Sequence, residues 1–304
     1  MRLPSVLIPL VLCAASCSGA GGASGSSVPL TNQVPVLSVA QAAPCTRLGT
    51  PAPAWLGPAP RAVSGLRVAA GLQIQAVDIV PGARELAFAP NGDLFVGTEG
   101  DNVYIIRNAE GQASTPRVFV QIADAPVAGV ALSLTSANCA LYVGGQFGVY
   151  RIPYTIGDTA KQSAPVKIAH FRASATGTDD HRTTTLAIAG SSMYASVGST
   201  CDACTETDPS RATIQQMGFT GSGLTAKAVH IRNAIALAVN PATGTVWAGG
   251  AGQDRLPAGH PYEFFDALTL HAGVANYGWP NCEENRHAYA AGANCSTTVI
   301  PRVE

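Results

Sequence analysis

The chain has 304 residues, with 18 basic against 19 acidic side chains, and only 12% of it is charged. That balance excludes the basic face a nucleic-acid binder needs, and beyond the first residues no stretch is apolar for long enough to cross a bilayer as a helix. Glycine (32) and proline (21) are abundant without the charge of a disordered chain, so the expected product is compact and rich in turns.

Arg2 is followed by an apolar run from Val6 to Leu12, broken by Pro9, and then by the small residues Cys13 to Cys17. This order predicts a secretion signal over residues 1–16. Cleavage of the lipoprotein type would leave a lipidated Cys17 as the one membrane contact, with ordinary cleavage near Ala20 as the alternative. The expected location is therefore exported, either periplasmic or held at a membrane by lipid. Residues 17–65 read as a tether, Gly/Ser/Ala-rich at first. They continue into a lead-in where Pro29, Pro35, Pro44, Pro51, Pro53, Pro58 and Pro60 forbid a regular helix. Six further cysteines, Cys45, Cys139, Cys201, Cys204, Cys282 and Cys295, suit disulfides in an oxidising compartment. The short spacings pair Cys201 with Cys204 and Cys282 with Cys295, and Cys45 with Cys139 follows only by elimination.

From Leu66 onward, short Val/Ile/Tyr/Phe-rich runs alternate with Gly, Asn, Asp and Pro, which predicts a meander of strands. One pattern recurs: LAFAPNGDLFVG from Leu86, LSLTSANCALYVG from Leu132, LAIAGSSMYASVG from Leu186 and LAVNPATGTVWAG from Leu237. A strand–turn–strand–glycine unit returning about every 50 residues is the mark of a β-propeller blade. The fold class is thus all-β, a propeller over residues 66–304 with about four blades in this chain. Its last residues read as a strand cut in mid-course, so the expectation is a sequence truncated at its C-terminal end.

Five places could carry chemistry. Asp180-His181 lies just before the third unit, where a histidine can serve as a general base and a carboxylate beside it can hold its tautomer; an exposed loop histidine is the plain alternative. Arg232-Asn233 takes the same place before the fourth unit and could bind anionic or carbonyl oxygens. Gly249 to Asp254, with Glu263 and Asp266 beyond it, could offer backbone carbonyls and carboxylates to calcium, or be a simple turn. Asn276-Tyr-Gly-Trp-Pro280 is expected to pack a blade junction, with ring faces that line a sugar site as the alternative. Cys201-Asp-Ala-Cys204 has half-zinc spacing, but without a second close pair a small disulfide loop is the better reading.

Taken in order, these segments resemble the soluble pyrroloquinoline-quinone (PQQ)-dependent sugar dehydrogenases, especially the sorbosone dehydrogenase branch. The matching text is Gly71-Leu72, RELAFAPNGDLFV from Arg84, His181, VGSTCDAC from Val197, DPSRA from Asp208, IRN from Ile231, NPATGTVW from Asn240, GQD from Gly252 and NYGWPNC from Asn276. The resemblance implies a six-bladed propeller that binds PQQ and calcium on its axial face, oxidises an aldose or sugar aldehyde, and passes electrons to an acceptor the sequence does not name. It implies His181 as the base, Asp180 as its orienting neighbour and Arg232 as stabiliser of charge on the quinone. Asn233 would be a cofactor ligand, and Gly252 and Gln253 the backbone donors to calcium. Ile235 stands where the family has a polar residue, Gly250 and Ala251 replace its acidic and amide residues, and its cofactor-gripping basic residues belong to later blades. The resemblance therefore assigns activity to a longer parent and leaves this chain, as it stands, inactive. A non-catalytic exported propeller that binds a carbohydrate or protein partner is the competing expectation.

Overall fold

In the computed structural model the described residues are 45–46, 61–62, 65–72, 74–111, 113–171, 180–254, 256, 263–283 and 285–303, all within the compact unit Ala42–Glu304. The expected signal segment, the lipid-bearing Cys17 and most of the tether lie outside them. Two short strands, β1 (Arg61–Ala62) and β2 (Gln75–Ala76), pair ahead of the blades. The first blade is β3 (Ala83–Phe88), β4 (Leu94–Thr98), β5 (Asn102–Ile106) and β6 (Arg117–Gln121). The second is β7 (Gly129–Thr135), β8 (Asn138–Gly145), β9 (Gly148–Pro153) and β10 (Val166–His170). The third is β11 (Leu186–Ala189), β12 (Ser192–Val197), β13 (Thr213–Met217) and β14 (Thr225–Val229). The fourth has three described strands, β15 (Asn233–Val239), β16 (Val246–Ala251) and β17 (Phe264–Asp266).

Each blade is an antiparallel meander, and each repeat found in the sequence forms the first hairpin of one blade. After a 3-10 turn at Leu268–Leu270 the chain returns as β18 (Ala275–Asn276), parallel to β14, and so ties the end of blade four to the outer edge of blade three. A small hairpin, β19 (Cys282–Glu283) and β20 (His287–Ala288), follows. Among the described residues no helix is long and apolar enough to cross a membrane.

The cores lie between blades. Phe95 and Phe119 of blade one meet Tyr154 of blade two in edge-to-face contacts, with Leu141, Val143 and Ile152 around them. Tyr142, Met193 and Val197 fill the second junction, and Tyr194, Ile214, Leu268 and Tyr277 the third. The recurring glycine in or just after each second strand has a physical cause in this packing. A Cβ on Gly97 would stand 2.0 Å from the Ala128 carbonyl oxygen, and one on Gly144 would stand 2.4 Å from that of Thr184. The segment entering the next blade crosses directly over these positions, so only glycine fits. Gly249, in the fourth blade, has no contact closer than 3.4 Å. The outer faces of the first and fourth blades leave Leu86, Phe88, Ile235 and Phe265 exposed.

All three expected disulfides are formed: Cys45–Cys139, Cys201–Cys204 and Cys282–Cys295. The Asn276–Pro280 segment packs a blade junction, as expected, with Tyr277 and Trp279 both buried. Tyr142 illustrates how polar groups are satisfied inside a junction. Fully buried, its hydroxyl accepts from Asn138 Nδ2 and donates to the Phe219 carbonyl, each at 3.0 Å. Tyr142→Phe should cost about 1–2 kcal/mol, because it leaves that carbonyl and amide without their partner. A urea titration should show a lower midpoint with an unchanged slope.

Candidate functional site

The site is assembled by short connections that enter the blades side by side. Before β11, the Asp180 and His181 amides donate to the Thr200 and Ser199 carbonyls, each at 3.3 Å; Ser199 in turn donates to the Arg232 carbonyl at 2.8 Å, just before β15. Backbone hydrogen bonds therefore join the entrances of blades three and four through the segment that leaves β12. Gly198 makes the close approach possible. A Cβ there would stand 2.4 Å from His181 Cβ and 3.1 Å from Asn233 Oδ1. His181, Arg232 and Asn233 are thus brought together around Gly198 and Ser199.

The tautomer of His181 follows from its contacts. Nδ1 lies 3.2 Å from the Ser199 carbonyl oxygen, which can only accept, and 2.8 Å from Ser199 Oγ. That hydroxyl spends its own proton on the Cys201 carbonyl at 2.6 Å. Nδ1 must therefore carry the ring proton, which leaves the Nε2 lone pair for a substrate. Burial, and then the nearby Arg232 guanidinium, push the His181 pKa below its ordinary value; the Ser199 carbonyl, Asp180 and Asp254 pull the other way. The orienting hydrogen bonds come from Ser199, while Asp180 acts on the ring through its charge.

Arg232 is buried and heavily engaged. Its Nε donates to the Asp202 carbonyl at 3.1 Å, and Nη2 pairs with Asp202 Oδ1 at 2.9 Å and Asp254 Oδ2 at 2.5 Å. Asp202 also accepts the Asp254 amide on its carboxylate and the Trp279 indole N–H on its carbonyl. Two carboxylates thus offset the single guanidinium charge, so Arg232 is a fixed donor array more than a free cation.

Gly252 and Gln253 follow β16. Among the described residues no donor reaches either backbone carbonyl, while the Gln253 side chain is anchored to the Pro280 carbonyl and Glu283. Hard carbonyl oxygens on an anchored, half-buried loop suit a calcium ion. Asp266 does not join them: fully buried, it accepts from His271, Tyr277 and the Ala267 amide. Arg232 and Gly252 share the wall of a small cavity of about 30 Å³. A larger cavity of about 440 Å³, walled by Cys204, Glu206, Arg211, His230, Trp279 and Thr298, is lined by none of Asp180, His181, Arg232, Asn233, Gly252 and Gln253.

The sequence assigns Ser199, Asp202 and Asp254 no part in holding His181 or Arg232. Ser199 and Asp202 sit inside the VGSTCDAC segment and Asp254 closes the glycine loop, but nothing local marks them as partners of His181 and Arg232.

No family model matches the chain, and no curated protein matches it. Solved structures do. The PQQ domain of pyranose dehydrogenase from Coprinopsis cinerea superposes with a TM-score of 0.56 at 15% identity, over 67% of this chain and 55% of that one. A Trichoderma reesei carbohydrate-active enzyme of family AA12 gives 0.58 at 18%, over 81% and 72%. The PQQ-bound aldose sugar dehydrogenase of Streptomyces coelicolor gives 0.54 at 19%, over 73% and 67%. This chain has their fold. It spans little more than half the length of the first of these structures and under three quarters of the second.

Proposed function

We propose that the chain provides the base and part of the cofactor platform of an exported, PQQ- and calcium-dependent sugar dehydrogenase that oxidises an aldose or sugar aldehyde. The observation that carries this reading is His181: its Nδ1 proton is committed to Ser199, its Nε2 has no partner among the described residues, and the Arg232 guanidinium is near enough to push its pKa down. A bound quinone would supply the hydride acceptor, and calcium would polarise it. In this reading His181 Nε2 removes the proton from the sugar hydroxyl as its carbon gives up hydride. Ser199 keeps the imidazole in one tautomer throughout. Arg232, held by Asp202 and Asp254, directs N–H groups to where negative charge grows, and such donors count for most when they need no reorganisation. Asn233 would bind a cofactor oxygen, and the Gly252 and Gln253 carbonyls would hold calcium. Three disulfides support export to an oxidising compartment.

The test is dye reduction by the full-length protein that carries these blades, incubated with calcium and PQQ and offered a panel of aldoses. Sugar-dependent reduction is expected together with a retained quinone absorbance. A chain that retains no quinone and reduces no dye would leave the second reading, a non-catalytic propeller that binds carbohydrate or a protein partner. Two observations favour that alternative: the charge of Arg232 is already met by two carboxylates, and the exposed Ile235 occupies the place of an expected polar contact.

A further inference from the structure

The loop from Ser199 to Glu206 supports both candidate residues, and a disulfide closes it at Cys201 and Cys204. The Cys201 carbonyl receives the Ser199 hydroxyl whose oxygen orients His181. The Asp202 carbonyl receives Arg232 Nε and the Trp279 indole, while its carboxylate receives Arg232 Nη2 and the Asp254 amide. At its far end the loop is fixed by Glu206, which accepts from the Thr200 amide and hydroxyl. Asp202 thus reaches partners 30, 52 and 77 residues away from inside a ring of four residues.

We propose that Asp202 is the positioning residue for Arg232, and that the Cys201–Cys204 disulfide holds Asp202 in place, so that the site is assembled only in the oxidised chain. Without the bond, the loop has no covalent restraint on where Asp202 points. Both of its oxygen acceptors move together, and a buried guanidinium then loses two of its three described partners. Reduction requires an external dithiol: the Sγ–Sγ bond breaks, two electrons and two protons pass to the sulfurs as two thiols, and the dithiol leaves as its own disulfide. The consequence for catalysis rests on Arg232 acting as proposed above, but the positioning itself does not.

The test therefore uses the full chain without quinone or calcium and reads solvent exchange of the Trp279 indole N–H and the Arg232 guanidinium protons by NMR. In Cys201→Ser/Cys204→Ser both should exchange about tenfold faster or more, as expected when a protecting hydrogen bond is lost, with circular dichroism showing the blades intact. In Asp202→Ala the disulfide and the backbone carbonyl remain, so the indole should stay protected and the guanidinium alone should speed up. Equal protection of both groups in the folded serine variant would overturn the role of the disulfide. Unchanged guanidinium exchange in Asp202→Ala would overturn the role of Asp202, even if the serine variant did not fold. Failure of dye reduction alone would count against the dehydrogenase reading and leave this one standing.

Discussion

Replacing His181 with alanine in the full-length protein should lower kcat for sugar oxidation by about two to four orders of magnitude, the usual contribution of a positioned general base, while quinone absorbance is retained. The geometry sets this expectation, because the ring has one nitrogen committed to Ser199 and one left for chemistry. The pH dependence follows from the direction of the pKa shift. Burial and Arg232 both oppose the imidazolium, so the neutral base is present from below pH 6.5 upward. For the native chain kcat/KM should be flat at neutral pH and fall only as pH drops through the lowered pKa. In His181→Ala that acid limb should vanish along with most of the rate. Near-native turnover in the variant, or an acid limb centred above 6.5 in the native chain, would remove His181 from the role of base.

Glu85→Gln should flatten the dependence of stability on pH. Glu85 projects from β3, in the first blade, and its Oε2 accepts the Val130 amide of blade two at 3.1 Å and the Leu186 amide of blade three at 3.4 Å. Its other oxygen is buried, with no hydrogen-bond partner among the described residues. Burial pushes the pKa up to about 7 from the ordinary 4.5, against the lowering effect of the Thr185 hydroxyl and the two amides. A carboxyl with a raised pKa is more readily protonated in the folded chain than in the unfolded one. Its contribution to stability is therefore complete below about pH 4.5 and is lost as pH rises through about 7. At 1.36 kcal/mol per pKa unit this amounts to about 3 kcal/mol. Denaturant midpoints at pH 5 and pH 8 should differ by correspondingly less in Glu85→Gln than in the native chain. Parallel pH profiles for the two proteins would show that burial does not hold the carboxyl protonated.

Much of this architecture is legible in the amino-acid sequence. Hairpins leave a local signature, since turn residues and alternating apolar positions lie within a dozen residues of one another, and so the repeats starting at Leu86, Leu132, Leu186 and Leu237 mark the four blades. His181 and Arg232 stood out for the same reason: each lies in the connection that opens a blade, so the repeat itself puts them at equivalent places. Cys201–Cys204 and Cys282–Cys295 could be paired by spacing, whereas Cys45–Cys139 closes over 94 residues and could be reached only by elimination. Ser199, Asp202, Asp254 and Glu85 carry no such mark, because what makes each of them matter is a partner at a separation that no local pattern encodes.

The sequence by itself determined an all-β chain of repeated hairpins with disulfides and a set of candidate polar residues at the blade entrances, because turn chemistry and strand periodicity act over short stretches of chain. Only the tertiary structure decided which nitrogen of His181 is free, that Arg232 is held by two carboxylates, and that burial raises the pKa of Glu85. Each of these depends on the direction of a hydrogen bond or the exclusion of water, and both are set by atoms that come together only when one blade is laid against the next.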